Sequence, residues 1–182
     1  MRITPYRRLL SAPERSFFLF GPRGTGKTSW LQLELPAPES AWIDLLKPST
    51  LMAYQREPEL LEKIASASSS QRWIVIDEVQ RLPELLDVVQ GLISKDKSIK
   101  FALTGSSARK LKAGGANLLA GRALTKNLYP LNTLEIGDHF NMEQALKYGP
   151  LPEVVYANSD EEREEYLDAY VLTYLTIEIQ QE

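Results

Sequence analysis

The string Gly21-Pro22-Arg23-Gly24-Thr25-Gly26-Lys27-Thr28 constrains this chain more than any other feature. It fits the phosphate-binding pattern G-x-x-x-x-G-K-[ST] at every position, and its flanks fit the context that pattern needs. Ser16 to Phe20 reads as a buried strand, and Trp30, Leu31, Leu33 and Leu35 read as the apolar side of a helix closed by Pro36. A loop between strand and helix can turn several backbone N–H groups on one phosphate chain. Glycine is needed where a side chain would hold the backbone away or forbid its dihedral angles. Gly21, Pro22, Arg23, Gly24, Thr25, Gly26, Lys27 and Thr28 are therefore the expected nucleotide-binding residues. Lys27 is expected to reach the β- and γ-phosphates, and the Thr28 hydroxyl to coordinate Mg2+.

Strand and helix patterns alternate downstream. Ala41 to Asp44 reads as a strand, Glu57 to Ala67 as a helix, Arg72 to Asp77 as a strand, and Leu85, Leu86, Val89 and Ile93 as a helical stripe. Lys100 to Thr104 and Leu124 to Leu128 complete five strands. Parallel strands need crossover connections, so the alternation predicts an α/β fold with a mostly parallel five-stranded sheet between helices. The 182 residues, 43% apolar and 25% charged, suit one globular domain with a short appendage. No run is long and apolar enough to cross a bilayer, which makes a cytoplasmic location the expectation and a membrane partner an unexpected one. With 21 basic and 24 acidic residues the net charge is −3, which gives no support to a DNA client. The absence of cysteine removes disulfides, thiolate metal sites and cysteine nucleophiles, and the single histidine, His139, reads as a surface loop residue.

Asp77 and Glu78 end the third strand, 50 residues beyond Lys27. An apolar strand ending in two acids suits Mg2+ coordination by Asp77 and polarisation of an attacking water by Glu78. Thr104 and Ser106 leave the fourth strand at the same end of the sheet, where open α/β sheets bind their ligands. Thr104 is expected to hydrogen-bond the γ-phosphate or the water, whereas Ser106 and Ser107 serve equally well as helix caps. Arg122, just before the fifth strand, reads either as a surface arginine or as an arginine finger acting in its own chain or in a neighbour's. Arg109, Lys110 and Lys112 read as a solvated helix face.

These residues sit in longer strings: Val75-Ile76-Asp77-Glu78-Val79-Gln80-Arg81-Leu82-Pro83-Glu84-Leu85, Leu103-Thr104-Gly105-Ser106-Ser107-Ala108-Arg109-Lys110-Leu111, Asn117-Leu118-Leu119-Ala120-Gly121-Arg122-Ala123 and Tyr148-Gly149-Pro150-Leu151-Pro152. Together with the glycine-rich string they resemble an AAA-type P-loop ATPase of a prokaryotic family, in which an ATPase core precedes a second domain. The resemblance implies binding and hydrolysis of ATP with Mg2+, carried by Lys27, Thr28, Asp77, Glu78 and Thr104, and favours a functional Arg122 and self-association through it. It divides the chain into a core at 1–135 and a helical appendage at 136–182. Chains of that family continue past the equivalent of Glu182, so the appendage is expected to be cut short. Its last helix is expected to be capped by Ser159 or Asp160, with Glu162, three residues after Ser159, completing a capping box. Tyr166, Tyr170 and Tyr174 then form a packing stripe that awaits an absent partner.

The expected activity is release of phosphate from ATP, coupled to an unknown DNA or protein client. The alternative is an ATP-dependent conformational switch or signalling module with little turnover. Transfer to a small molecule is disfavoured by the acid beside Asp77. A guanine-specific site is disfavoured because no Asn-Lys-x-Asp string occurs, the nearest being Thr125-Lys126-Asn127-Leu128.

Overall fold

Four consecutive large apolar residues, Phe17-Phe18-Leu19-Phe20, form strand β1, and all four are buried. A strand buried on both faces must lie inside a sheet covered on both sides. The computed structural model describes residues 6–37, 39–67, 73–106, 108, 111 and 119–175. By contacts the chain divides into two units, Ser11–Gly21 with Lys27–Leu128, and Met1–Leu10 with Pro22–Gly26 and Tyr129–Glu182.

The first unit is a five-stranded parallel sheet, as the alternation implied. Strands β1, β2 (Ser40–Asp44), β3 (Trp73–Asp77), β4 (Lys100–Gly105) and β5 (Leu124–Asn127) lie in the order β2-β3-β4-β1-β5. Every pairing is parallel. Helix α1 (Lys27–Glu34) connects β1 to β2, α2 (Pro48–Arg56) and α3 (Leu60–Ala67) connect β2 to β3, and α4 (Leu85–Lys95) connects β3 to β4. On one face Phe18, Phe20, Ile43, Ile74, Ile76, Phe101 and Leu103 pack with Leu61 of α3 and Leu85, Leu86 and Val89 of α4. On the other, Phe17 meets the rings of Trp30 in α1 and Trp73 in β3 edge-on, with centroids 6.2 and 5.6 Å away. Helices thus cover both faces of the sheet.

Two local readings change. Leu33 is 58% exposed, while Trp30, Leu31 and Leu35 are buried. It stands two positions from both Leu31 and Leu35, which at 3.6 residues per turn places it on the opposite side of the helix. Helix α2 was not expected. Its entry is marked by Pro48 in the first turn, after an extended Lys47, where a missing N–H and a fixed φ suit a helix start.

The second unit is helical. Helix α5 (Thr133–Ile136) carries a full capping box, in which the Asn132 side chain accepts the Leu134 and Glu135 N–H groups and Glu135 accepts that of Asn132. Asn141 caps α6 (Met142–Tyr148), Pro152 opens α7 (Pro152–Tyr156), and Ser159 caps α8 (Asp160–Tyr170) by accepting the Glu162 N–H at 3.2 Å. Glu162 returns its carboxylate to the N–H of Asn158, one residue earlier than a capping box places it. Buried Arg163 ties α8 to the end of α7 through the carbonyls of Val154, inside α7, and Ala157, its C-cap. Among the described residues no helix is long and apolar enough to cross a membrane. The expected course of the last helix through residues 176–182 lies outside the described residues, as do Ser107, Arg109, Lys110 and Lys112.

Candidate functional site

Parallel register decides which side chains meet at the carboxyl ends of the strands. Leu19 pairs with Thr104, Ile76 with Leu103 and Asp44 with Asp77, so Thr104, Asp77 and Asp44 lie in one row across the sheet. Beyond that row the loop leaves β1 and Glu78 leaves β3. Lys27 and Thr28 open α1 in the same unit. The Lys27 ammonium is buried and donates to the Gly21 carbonyl at 2.8 Å. Thr28 Oγ1 donates to Asp77 Oδ2 at 2.8 Å, joining the first motif directly to the second.

Thr104 is fully buried. Its hydroxyl donates to Asp77 Oδ1 and accepts the Glu78 N–H at 2.8 Å. The side chain expected to meet phosphate or water is therefore engaged within the chain, fixing both acids relative to β4. Glu78 adopts a left-handed conformation, φ 60° and ψ 48°, on leaving β3. A non-glycine residue there costs on the order of 1–2 kcal/mol, and such conformations concentrate at functional sites. The left-handed turn takes the chain out of the sheet, into a 3-10 turn at Val79–Arg81.

The residues between Gly21 and Lys27 belong to the second unit, where their neighbours are helical. Gly24 has φ +77°, and a Cβ built on it would stand 2.8 Å from the Tyr166 hydroxyl. The Tyr170 hydroxyl donates to the Arg23 carbonyl at 3.1 Å, and the Arg23 guanidinium lies over the Tyr174 ring, 5.0 Å from its centroid. The stripe expected to await a partner is thus already packed on Arg23 and Gly24. Burial raises the Tyr166 phenol above its ordinary pKa, which keeps it neutral. Arg8 donates to the Thr25 carbonyl at 2.9 Å, to the Tyr129 carbonyl and to Glu135 Oε1 at 3.0 Å. Nothing in the local sequence around Arg8 marks that role; only the fold brings residue 8 to residue 25.

A pattern of the AAA domain family matches residues 13–137, more than half of the chain. The chain belongs to the AAA domain family. This bears out the family read from the motif strings, and makes the chain a P-loop nucleotide-binding domain. Two curated relatives of this AAA domain are the uncharacterized proteins Rv2008c of Mycobacterium tuberculosis and Mb2031c of Mycobacterium bovis. Each is 27% identical over 164 residues, covering 90% of this chain and 36% of the relative. The chain thus spans about a third of their length. Among solved structures, domain III of the Thermotoga maritima replication initiation protein DnaA is similar at a TM-score of 0.41 and 16% identity, over 88% of this chain and 77% of that one. A replication initiator DnaA bound to AMPPCP and single-stranded DNA is similar at a TM-score of 0.44 and 15% identity, over 92% and 58%.

Within the AAA domain the sheet gathers Lys27, Thr28, Asp77, Glu78 and Thr104 at one end. Arg122 is not among them. It is exposed and lines a cleft of about 460 Å³ with Arg15, Ser16, Lys97 and Lys100, at the amino ends of the strands. The four residues of β1 separate the two ends by about 13 Å. Three residues at the carboxyl end escaped the sequence reading: Asp44, Gln80 and Gly105. Asp44 stood at a strand end and could have been found from that signal. Gln80 and Gly105 become visible only when β3 and β4 are paired.

Proposed function

We propose that this AAA domain binds Mg-ATP and hydrolyses it to ADP and phosphate. The reading is carried by the hydrogen bond from Thr28 to Asp77, which brings the hydroxyl after the P-loop lysine against the first acid of β3. Both groups offer hard oxygen donors of the kind Mg2+ takes, and among the described residues no cluster of three or more histidines, cysteines or carboxylates forms a dedicated metal cage. A site with one carboxylate and one hydroxyl fits an ion that keeps waters and shares the substrate's phosphates. Thr28 and Asp77 would hold it, and its chemistry there is neutralisation of phosphate charge. Lys27 would give up the Gly21 carbonyl to bind the β- and γ-phosphates. Glu78 would accept a proton from water as the water oxygen bonds to the γ-phosphorus and the bond to the β–γ bridging oxygen breaks. Thr104 would position both acids without touching the substrate.

General-base removal costs about 10²- to 10⁴-fold in rate. Glu78→Gln should therefore lose phosphate release by that order while ATP affinity, read by calorimetry, survives; hydrolysis at the parent rate would falsify the assignment of the base. Lys27→Ala should lose nucleotide binding. Arg122 would act on the phosphates of a neighbouring copy rather than on its own, consistent with its place at the far end of β1. Addition of ATP-binding-deficient Lys27→Ala chains to Arg122→Ala chains should then restore phosphate release, and no restoration at any mixing ratio counts against a shared site.

The second reading is a switch with little turnover. It is favoured by the packing of Arg23 and Gly24 on Tyr170, Tyr174 and Tyr166, which ties the state of the loop to α8 and the turn after it. Single-turnover kinetics would separate the two readings: a switch holds ATP unhydrolysed over many minutes.

A further inference from the structure

We infer that Gln80 is a positioning residue for Glu78, an assignment that rests on Glu78 acting as the base. The Gln80 side chain reaches back across the 3-10 turn and donates from Nε2 to Glu78 Oε2. A carboxylate only accepts, so the amide nitrogen must be the atom that faces it. The same requirement fixes the other end of the amide. Gln80 Oε1 is buried and has no hydrogen-bond partner among the described residues. It lies against Gly105, where a Cβ would stand 2.9 Å from it.

A buried amide oxygen without a partner is unfavourable, and such groups in folded proteins call for an explanation. Structure alone would be served better by an apolar side chain of the same length. What glutamine supplies and an apolar residue does not is the N–H donor on Glu78. Two contacts and one backbone conformation then define the base: its N–H is held by Thr104, one carboxylate oxygen is held by Gln80, and its backbone turns left-handed out of β3. Oε1 of Glu78 is left as the atom that takes the proton. Gly105 belongs to the same device, because a Cβ there would crowd Gln80 Oε1 at 2.9 Å.

The test is steady-state Mg-ATP hydrolysis, ATP affinity and thermal unfolding of the chain carrying Gln80→Met, which keeps length and volume and removes both polar atoms. The expected result is a fall in kcat of about tenfold or more, ATP affinity within about twofold of the parent, and an unfolding midpoint at or above the parent's. A structural role predicts the reverse pattern, with a lowered midpoint and an unchanged kcat. Gln80→Glu keeps the shape and replaces the donor with a second carboxylate, so it should lose rate as well; it decides the matter if Gln80→Met fails to fold. In a Glu78→Gln background Gln80→Met should cause no further loss, because Gln80 acts through Glu78. An equal loss in both backgrounds, or a parent-like kcat in both Gln80 variants, overturns the inference. If Glu78→Gln itself hydrolyses at the parent rate, or the parent releases no phosphate, the base assignment falls and this inference falls with it. A dead Glu78→Gln beside a parent-like kcat in both Gln80 variants sinks the Gln80 role alone.

Discussion

Thr104 uses one oxygen for two hydrogen bonds, and both partners are main features of the site. Removing that oxygen would leave a buried carboxylate atom of Asp77 and the Glu78 N–H without it, at a cost of about 1–3 kcal/mol. Thr104→Val should accordingly lower stability by that amount in urea unfolding, and Thr104→Ser should recover most of it; a valine variant as stable as the parent would remove Thr104 from the role. Glu135 gives a pH-dependent counterpart in the helical unit. Burial works to raise its carboxyl, but the N–H groups of Leu9 and Asn132 and the Arg8 guanidinium outweigh it and hold the pKa below the ordinary value. A depressed carboxyl contributes stability above its unfolded pKa, about 4.3, and loses it as pH falls through the folded value. Glu135→Gln should therefore lower the unfolding midpoint at pH 7 and cease to differ from the parent in strong acid. Equal differences at both pH values would mean that the charge is irrelevant there. At this scale the acids were legible only beside the P-loop, since an acidic pair at a strand end is common and says little alone. The partner of Thr104 was not, since it depends on a register that only pairing supplies.

The strand-loop-helix element from Phe17 to Glu34 was readable almost to the residue, because glycine spacing and four consecutive apolar residues leave few alternatives. What could not be read is the surroundings of the loop. Tyr166, Tyr170 and Tyr174 recur every four residues and so declare a packing face, but periodicity says nothing about what the face meets. The structure supplies Arg23 and Gly24. Gly24→Ala meets two obstacles, a φ of +77° and a contact of 2.8 Å with the Tyr166 hydroxyl. The dihedral alone costs on the order of 1–2 kcal/mol, and a tenfold change in affinity corresponds to about 1.4 kcal/mol. ATP affinity in Gly24→Ala should fall about tenfold or more by calorimetry. Full affinity would mean that the loop is free to choose another path. Helix α2 was missed for a related reason: its sequence, Pro48 to Arg56, buries only Tyr54 fully and so lacks the stripe that marks α4.

For the molecule as a whole, ligand binding and folding are linked. A ligand that binds only the folded chain adds about 2.7 kcal/mol of stability at a hundred times its Kd, so ATP should raise the unfolding midpoint of the parent and leave that of Lys27→Ala unmoved. A nucleotide-independent midpoint in the parent would contradict the P-loop reading outright. The sheet order was not written in any single segment. Alternating strands and helices announce a parallel sheet, but the place of β1 between β4 and β5 is a property of the whole chain. That placement bears on how the protein is made. A ribosome releases the amino end first, so Phe17-Phe18-Leu19-Phe20 emerges early and waits for β4, which begins at Lys100, and for β5, which ends at Asn127. Pairing so distant in sequence is slow, and apolar strands that wait are prone to stick to other chains. The nascent phosphate loop has no rigid strand behind it until the last strand of the sheet is out. Chains cut short before β5 should therefore leave β1 without one of its two neighbours and with its apolar residues exposed to other chains.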